Sequence, residues 1–270
     1  MCPFVDIHTH RFTGCCIELR ARGIHPWQAA DQNVEFAVTD AMFADADAVG
    51  ETGLDFACGV DRVAQERLFR LHLDAAQRLC LPVVLHCVRA FEPVMNILRE
   101  YRLRTAIFHG FIGSEQQAAR AVGRGYYLSF GPATTRSPRT VAALRSVPLE
   151  RIFAETDDTG ADIADVYEMI CRVRGVEMET LKERLAQNYY DIFDKDGDNE
   201  RKWLERTELL LGREKLERLH RSRVLVVGLG GVGAYAAEMI ARAGVGHMTV
   251  ADADVVSESN INRQLIALHS

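Results

Sequence analysis

Along the first two-thirds of the chain, apolar residues recur in two alternating rhythms. Short apolar runs at Phe4–Ile7, Cys16–Leu19, Ala48–Glu51, Pro82–His86, Thr105–His109, Tyr126–Phe130 and Ile152–Glu155 read as strands. Between or after them lie Arg62–Leu79, Ala90–Tyr101, Ser114–Val122, Pro138–Leu144, Ile163–Val173 and Glu179–Phe193. There the apolar residues fall three and four apart, the spacing of a helix with one buried face. Asp61 stands where an N-cap belongs. Strands that alternate with helices pair in parallel, in a barrel or an open sheet.

Seven strands are counted in this stretch, and a complete (β/α)8 barrel takes about 250 residues. The expected fold is therefore α/β, a shortened, seven-stranded TIM-like barrel. Only five residues separate His10 from Cys16, fewer than the dozen or so of a parallel crossover. Either a unit is missing or these two strands are joined abnormally. The polar run Asp194–Asn199 (D-K-D-G-D-N) marks a boundary, giving a barrel at 1–193, a linker at 194–199 and a second region at 200–270. That region reads as a charged helix Arg201–His220, a strand Val224–Val227, a glycine cluster, a helix Val232–Ala243 and a strand Met248–Ala251.

Composition adds exclusions. At 270 residues with 48% hydrophobic and 26% charged positions, the chain is ordinary for a globular protein, which argues against collagen-like and disordered classes. A net charge of −6 offers no global basic field, so any nucleic-acid contact requires a local patch. No apolar run reaches the roughly 18 residues of a membrane span. The N-terminus lacks a signal peptide's basic flank and apolar stretch. Seven cysteines without a C-x-x-C pair suggest free thiols in a reducing cytoplasm.

Candidate chemistry gathers at the strand ends. His8 and His10 are two apart, and strand residues at that spacing point to the same side. Glu51 ends the third strand, His86 the fourth and His109 the fifth, while Asp157 follows the seventh, with Asp158 as a competitor beside it. Parallel barrels place active sites at these C-terminal ends. Four imidazoles and two carboxylates suit Zn²⁺, Mn²⁺ or Fe better than an all-oxygen ion. Six ligands exceed the three that one catalytic zinc takes, so two ions are expected. A pair roughly 3.5–4 Å apart lowers the pKa of a shared water and clamps a phosphoryl oxygen. Glu51, with two oxygens, suits a bridging role. His25, in G-I-H-P-W, is placed to reach a substrate phosphate.

The blocks D-I-H-T-H, G-I-H-P-W, V-G-E-T-G-L-D-F, L-H-C-V-R-A, F-H-G-F-I-G-S and A-E-T-D, in this order, resemble those of the TatD-type metal-dependent hydrolases across residues 1–193. The resemblance implies an amidohydrolase-type barrel and DNase-like phosphodiester hydrolysis with two divalent ions, Zn²⁺, Mn²⁺ or Mg²⁺. By the same match His8, His10, Glu51 and Asp157 hold one ion, Glu51, His86 and His109 hold the second, and Arg89 meets a substrate phosphate. Glu51 and Asp157 are then the catalytic candidates, Asp157 also relaying a proton. The chain departs from the pattern in its short stretch between H-T-H and G-I-H-P and in lacking a proline soon after E-T-D. Three alternatives stay open: a smaller phosphoester or a strand end as substrate, a C–N (amide) hydrolase on the same metals, and a degenerate barrel acting as scaffold for the second region.

In that region Gly228-x-Gly230-Gly231-x-Gly233 follows a strand and opens a helix, the context in which glycines let a backbone approach phosphates. Asp252 lies about 20 residues on, where an acid binds ribose hydroxyls. The continuation D-A-D-V-V-S-E-S-N-I-N-R-Q resembles ThiF-type adenylating enzymes. With R-T-E-L-L-L-G, residues 203–270 look like the TcdA-type tRNA threonylcarbamoyladenosine dehydratases. This implies ATP-Mg as cofactor, contacted by Gly230 and Asp252, with Asn262 and Arg263 lining its phosphates. It also implies tRNA as partner and a homodimer in which Arg206 reaches the partner subunit's site. Such a Rossmann-like domain has several more strands, so the region is read as an N-terminal fragment that does not turn over ATP alone.

Overall fold

The computed structural model describes residues 3–193, 204–255 and 260. The chain divides into two compact units, Met1–Asp194 and Lys195–Ser270. In the first, β1 (Val5–Asp6), β2 (Ile17–Glu18), β3 (Ala21–Arg22), β4 (Ala48–Asp55), β5 (Val83–Val88), β6 (Ala106–Phe108), β7 (Tyr127–Phe130) and β8 (Ile152–Ala154) are all paired in parallel.

β3 through β8 form one six-stranded sheet, and β1 pairs with β2. Two backbone links close the ring. β2 and β3 are successive halves of one stave, the first half bonded to β1 and the second to β4. On the other side, Ile7 N–H donates to the Ala154 carbonyl (3.0 Å) and Asp157 N–H to that of His8 (2.9 Å), joining β1 to β8. The result is a closed barrel of seven staves. The second stave runs past Leu19 to Arg22, beyond its expected end, because it must reach two neighbours. The connection from β1 to β2 carries no helix, so these strands are joined abnormally rather than by a crossover.

The barrel is lined by alternate residues, as the two-residue period of a strand requires. Val84, Ile107, Tyr127 and Phe153, one from each of four adjacent strands, share a cluster with Val5 and Ala48. The intervening Val83, Leu85, Phe108, Leu128 and Ile152 pack in a second cluster that also takes helix residues such as Leu73, Met95 and Ile170. Burial on both faces is what parallel strands need. The helices are α1 (Val34–Ala37), α2 (Arg62–Leu79), α3 (Phe91–Leu98), α4 (Glu115–Val122), α5 (Pro138–Ser146), α6 (Ile163–Arg174) and α7 (Met178–Phe193). Their ends follow local chemistry. Asp61 accepts from Ala64 N–H at 2.8 Å, Ser114 and Gln117 form a capping box, and Gly175 ends α6 in a left-handed conformation.

The second unit pairs β9 (Arg223–Val227) with β10 (His247–Ala251) in parallel, with helix Gly231–Arg242 between them in sequence. The single helix expected at 201–220 is instead two, Glu205–Leu211 and Arg213–His220. Gly212 separates them at φ +78°, a backbone that glycine alone adopts without strain. Residues 201–203 and the expected linker lie outside the described residues. No described helix is long and apolar enough to cross a membrane.

Candidate metal centre

The site is assembled from strand ends by alternation. His86 lies two residues past Val84 and His109 two past Ile107, so both imidazoles point along the barrel axis. Glu155 lies two residues past inward-facing Phe153, and Asp157 four past it. Glu51 breaks the rule. It lies three residues past inward-facing Ala48, on the opposite face by strict alternation. The register of β4 against β5 shifts between Val49 and Thr52, and this irregularity turns Glu51 inward. The flanking glycines allow the close packing: a Cβ on Gly53 would stand 2.0 Å from the His86 carbonyl oxygen.

Glu51 is the hub. Its Oε1 lies 2.6 Å from His86 Nδ1, 2.6 Å from His109 Nε2 and 3.4 Å from His25 Nε2. Its Oε2 lies 3.4 Å from His8 Nε2 and 3.8 Å from His10 Nε2. Asp157 Oδ1 completes the second side, 3.6 Å from His8 Nε2 and 3.4 Å from His10 Nε2. Burial opposes ionisation of Glu51, but the surrounding imidazoles of His109, His25, His8 and His86 outweigh it and hold the carboxyl far below its ordinary range. Asp157 takes φ +55°, an uncommon conformation for a side-chain-bearing residue.

The structure thus brings together all six expected ligands, His8, His10, Glu51, His86, His109 and Asp157. Asp158 is exposed. His25 joins the inner cluster against Glu51. Arg89 is exposed at the rim and lines a cleft with Phe91, His109 and Ile112. In the second unit Gly228 takes φ +84°, Gly230 caps the helix that Gly231 begins, and a Cβ on Gly233 would stand 1.7 Å from the Gly228 carbonyl oxygen. Asp252 accepts the Leu229 N–H of that glycine turn. Arg206 is exposed on its helix, and Asn262 and Arg263 lie outside the described residues.

Several outer residues went unnoticed in the sequence. Asp55 Oδ2 faces His86 Nε2 at 3.3 Å and accepts the Trp27 indole N–H at 2.7 Å. Glu155, buried, accepts Gly110 N–H at 2.6 Å and faces His109 Nδ1 at 3.6 Å. Burial disfavours charge on both Glu155 and His109. Their mutual pairing prevails, lowering the carboxyl and, together with Glu51, raising the imidazole well above its ordinary value. Asp6 accepts from the Thr156 hydroxyl (2.6 Å) and N–H (3.1 Å), tying β1 to the Asp157 loop, and burial pushes its carboxyl up to about 6. Spacing is the signal that could have revealed two of them: Asp55 is four residues from Glu51 and Glu155 two from Asp157.

The donor set fits divalent cations. His86 and His109 each present one nitrogen to Glu51 and the other to an outer carboxylate, the arrangement that fixes the tautomer of metal-binding histidines. His8 Nε2 is buried without a hydrogen-bond partner while two carboxylate oxygens stand within 3.6 Å. A cation between them satisfies all three. The side chains fall into overlapping triads, His8/His10/Glu51, His8/His109/Asp157 and His25/Glu51/His86.

Residues 19–194 match the family described as TatD related DNase, and residues 204–270 match the ThiF family. Deoxyribonuclease TATDN3 of Homo sapiens is 30% identical over 164 residues, which is 55% of this chain and 60% of that protein. The crystal structure of YJJV, a TatD homologue from Escherichia coli K12, superposes with a TM-score of 0.59 at 29% identity, covering 66% of this chain and 77% of that one. The tRNA threonylcarbamoyladenosine dehydratase of Bacillus subtilis is 54% identical over 65 residues, covering 24% of this chain and 26% of that protein.

Proposed function

Because the chain belongs to the TatD-related DNase family, we propose that its barrel is a divalent-metal-dependent hydrolase of phosphodiester bonds in nucleic acid, with Zn²⁺, Mn²⁺ or Mg²⁺ as the ions. The observation that carries this reading is the division of labour on Glu51, whose two oxygens face separate sets of imidazoles. One carboxylate placed this way suits two ions. His8, His10, Asp157 and Glu51 would hold one, and Glu51, His86 and His109 the other, with His25 within reach of the second. Such a pair, when bound, supplies Lewis-acid polarisation of a phosphoryl oxygen and lowers the pKa of water.

The remaining work belongs to the chain. Asp157, part-exposed at the mouth, is placed to accept the proton of an attacking water. Arg89, on the rim, offers a planar pair of donors to a phosphate. Asp55 and Glu155 hold the His86 and His109 rings in orientation. The buried floor of Val84, Ile107 and Phe153 closes the site to solvent from below. The second unit is read, from its ThiF-family match, as an ATP-Mg-binding segment. Its glycine turn meets the phosphates and Asp252 the ribose, tRNA is its partner, and Arg206 serves a second copy's site. The six described cysteines are free thiols, which accords with the cytoplasm.

The test is metal content and cleavage measured together. The purified protein should contain divalent metal, lose hydrolysis of a labelled oligonucleotide in chelator and regain it with Mn²⁺ or Zn²⁺. His109→Ala should lose metal and activity together. Full cleavage by metal-free protein, or two ions retained with full activity in the variant, defeats the assignment.

A further inference from the structure

Trp27 lies beside the cluster, and the reading above does not use it. The residue is 61% exposed, unusual for the largest apolar residue, yet it is firmly held. The indole N–H donates to Asp55 Oδ2 at 2.7 Å, and its backbone N–H donates to His25 Nδ1 at 3.3 Å. The ring meets His25 edge-on with centroids 4.6 Å apart and lies 6.3 Å from the ring of His86. The chain entering this turn is anchored too. Ile24 N–H donates to Nε2 of His72, a fully buried imidazole whose other nitrogen contacts the Leu68 carbonyl at 2.9 Å. Asp55 is locked in turn by Gln65, which accepts its N–H at 2.7 Å and donates to its carbonyl at 2.9 Å.

A tryptophan that served only the fold would bury its ring. Here the polar edge is tied inward and the apolar surface faces solvent, one imidazole away from Glu51. Resting on the phosphodiesterase reading, we propose that Trp27 is a nucleobase platform: its exposed ring stacks one unpaired base of a strand whose phosphodiester lies at the Glu51 cluster. Stacking of this kind accepts any base, because every base has a π face. It requires that face to be free, so the favoured substrate is a single strand or a frayed end and not a duplex interior. Because the ring is already immobilised, little ordering remains to oppose binding.

The experiment uses the full chain loaded with Mn²⁺ and compares wild type, Trp27→Ala and Trp27→Phe. The substrates are a short oligothymidylate and the same strand with tetrahydrofuran abasic residues around the cleaved bond. Trp27→Ala should lower kcat/KM on oligothymidylate by roughly 5- to 150-fold, chiefly through KM, as expected for one lost base–aromatic stack. Trp27→Phe, which keeps a ring but not the bond to Asp55, should retain most activity, and all three proteins should treat the abasic strand alike. An equal loss on both substrates overturns the proposal, since Trp27 would then act only by propping Asp55. Unchanged cleavage of oligothymidylate by Trp27→Ala overturns it as well. If the wild type cleaves neither strand, the phosphodiesterase reading itself falls, and this proposal with it.

Discussion

Replacing Glu155 with Gln separates the metal-supporting role of this carboxylate from its role in the fold. Glu155 is 1% exposed and makes two contacts of different kinds. Its Oε1 accepts Gly110 N–H at 2.6 Å, which a glutamine oxygen can also do. Its negative charge faces His109 Nδ1 at 3.6 Å, which a neutral amide cannot reproduce. Its Oε2 is buried without a hydrogen-bond partner, so the glutamine NH2 that replaces it is buried without an acceptor. Loss of the charge that orients His109 should weaken metal affinity by roughly 10–100-fold, equivalent to about 1.4–2.8 kcal/mol. The metal-free fold should lose about 1–3 kcal/mol, the cost of one buried unsatisfied donor. His109 keeps Glu51 at 2.6 Å, so its imidazole retains a carboxylate partner. For a domain of this size that loss is a fall in Tm of about 2–12 °C. Affinity is read by competition with a chromophoric chelator and Tm by calorimetry in chelator. Wild-type affinity in Glu155→Gln, or a fall in metal-free Tm several times larger than this, would refute the reasoning.

Three further outcomes follow from close contacts and burial. Gly53→Ala places a Cβ 2.0 Å from the His86 carbonyl oxygen at φ +144°. Overpacking and backbone strain together should cost roughly 2–5 kcal/mol, visible as a fall in Tm of about 5–20 °C, and a wild-type Tm would contradict the β4–β5 packing. Gly233→Ala places a Cβ 1.7 Å from the Gly228 carbonyl oxygen, so binding of a fluorescent ATP analogue should disappear while the barrel's metal affinity is untouched. Burial pushes the Cys16 and Cys87 thiols up to about 12, leaving about one thiolate in ten thousand at pH 8. Peptide mapping after brief alkylation should find exposed Cys15 and Cys80 modified first, and early labelling of Cys87 would contradict its placement.

Much of the barrel and its centre is legible in the sequence, because the information is local. Alternating apolar residues state which face of a strand is buried, and a histidine two residues beyond an inward valine or isoleucine inherits that face, as His86 and His109 do. The strand ends and the ordered motif blocks give six candidate ligands, and the structure brings those six side chains together. The helix break at Gly212 was missed because the charged periodicity runs through it, and only the backbone shows the glycine's conformation.

What remained belongs to tertiary structure. Closure of the ring depends on one short stave shared between two neighbours, which no local pattern in Cys16–Arg22 announces. The inward turn of Glu51 depends on a register shift between β4 and β5, a property of two strands aligned against each other. The support of His109 by Glu155 and of His86 by Asp55 joins residues 46 and 31 positions apart in the chain. Sequence periodicity determines which side of each element is buried. Which buried carboxylate meets which imidazole is decided only when the strands close and bring their ends within hydrogen-bonding distance.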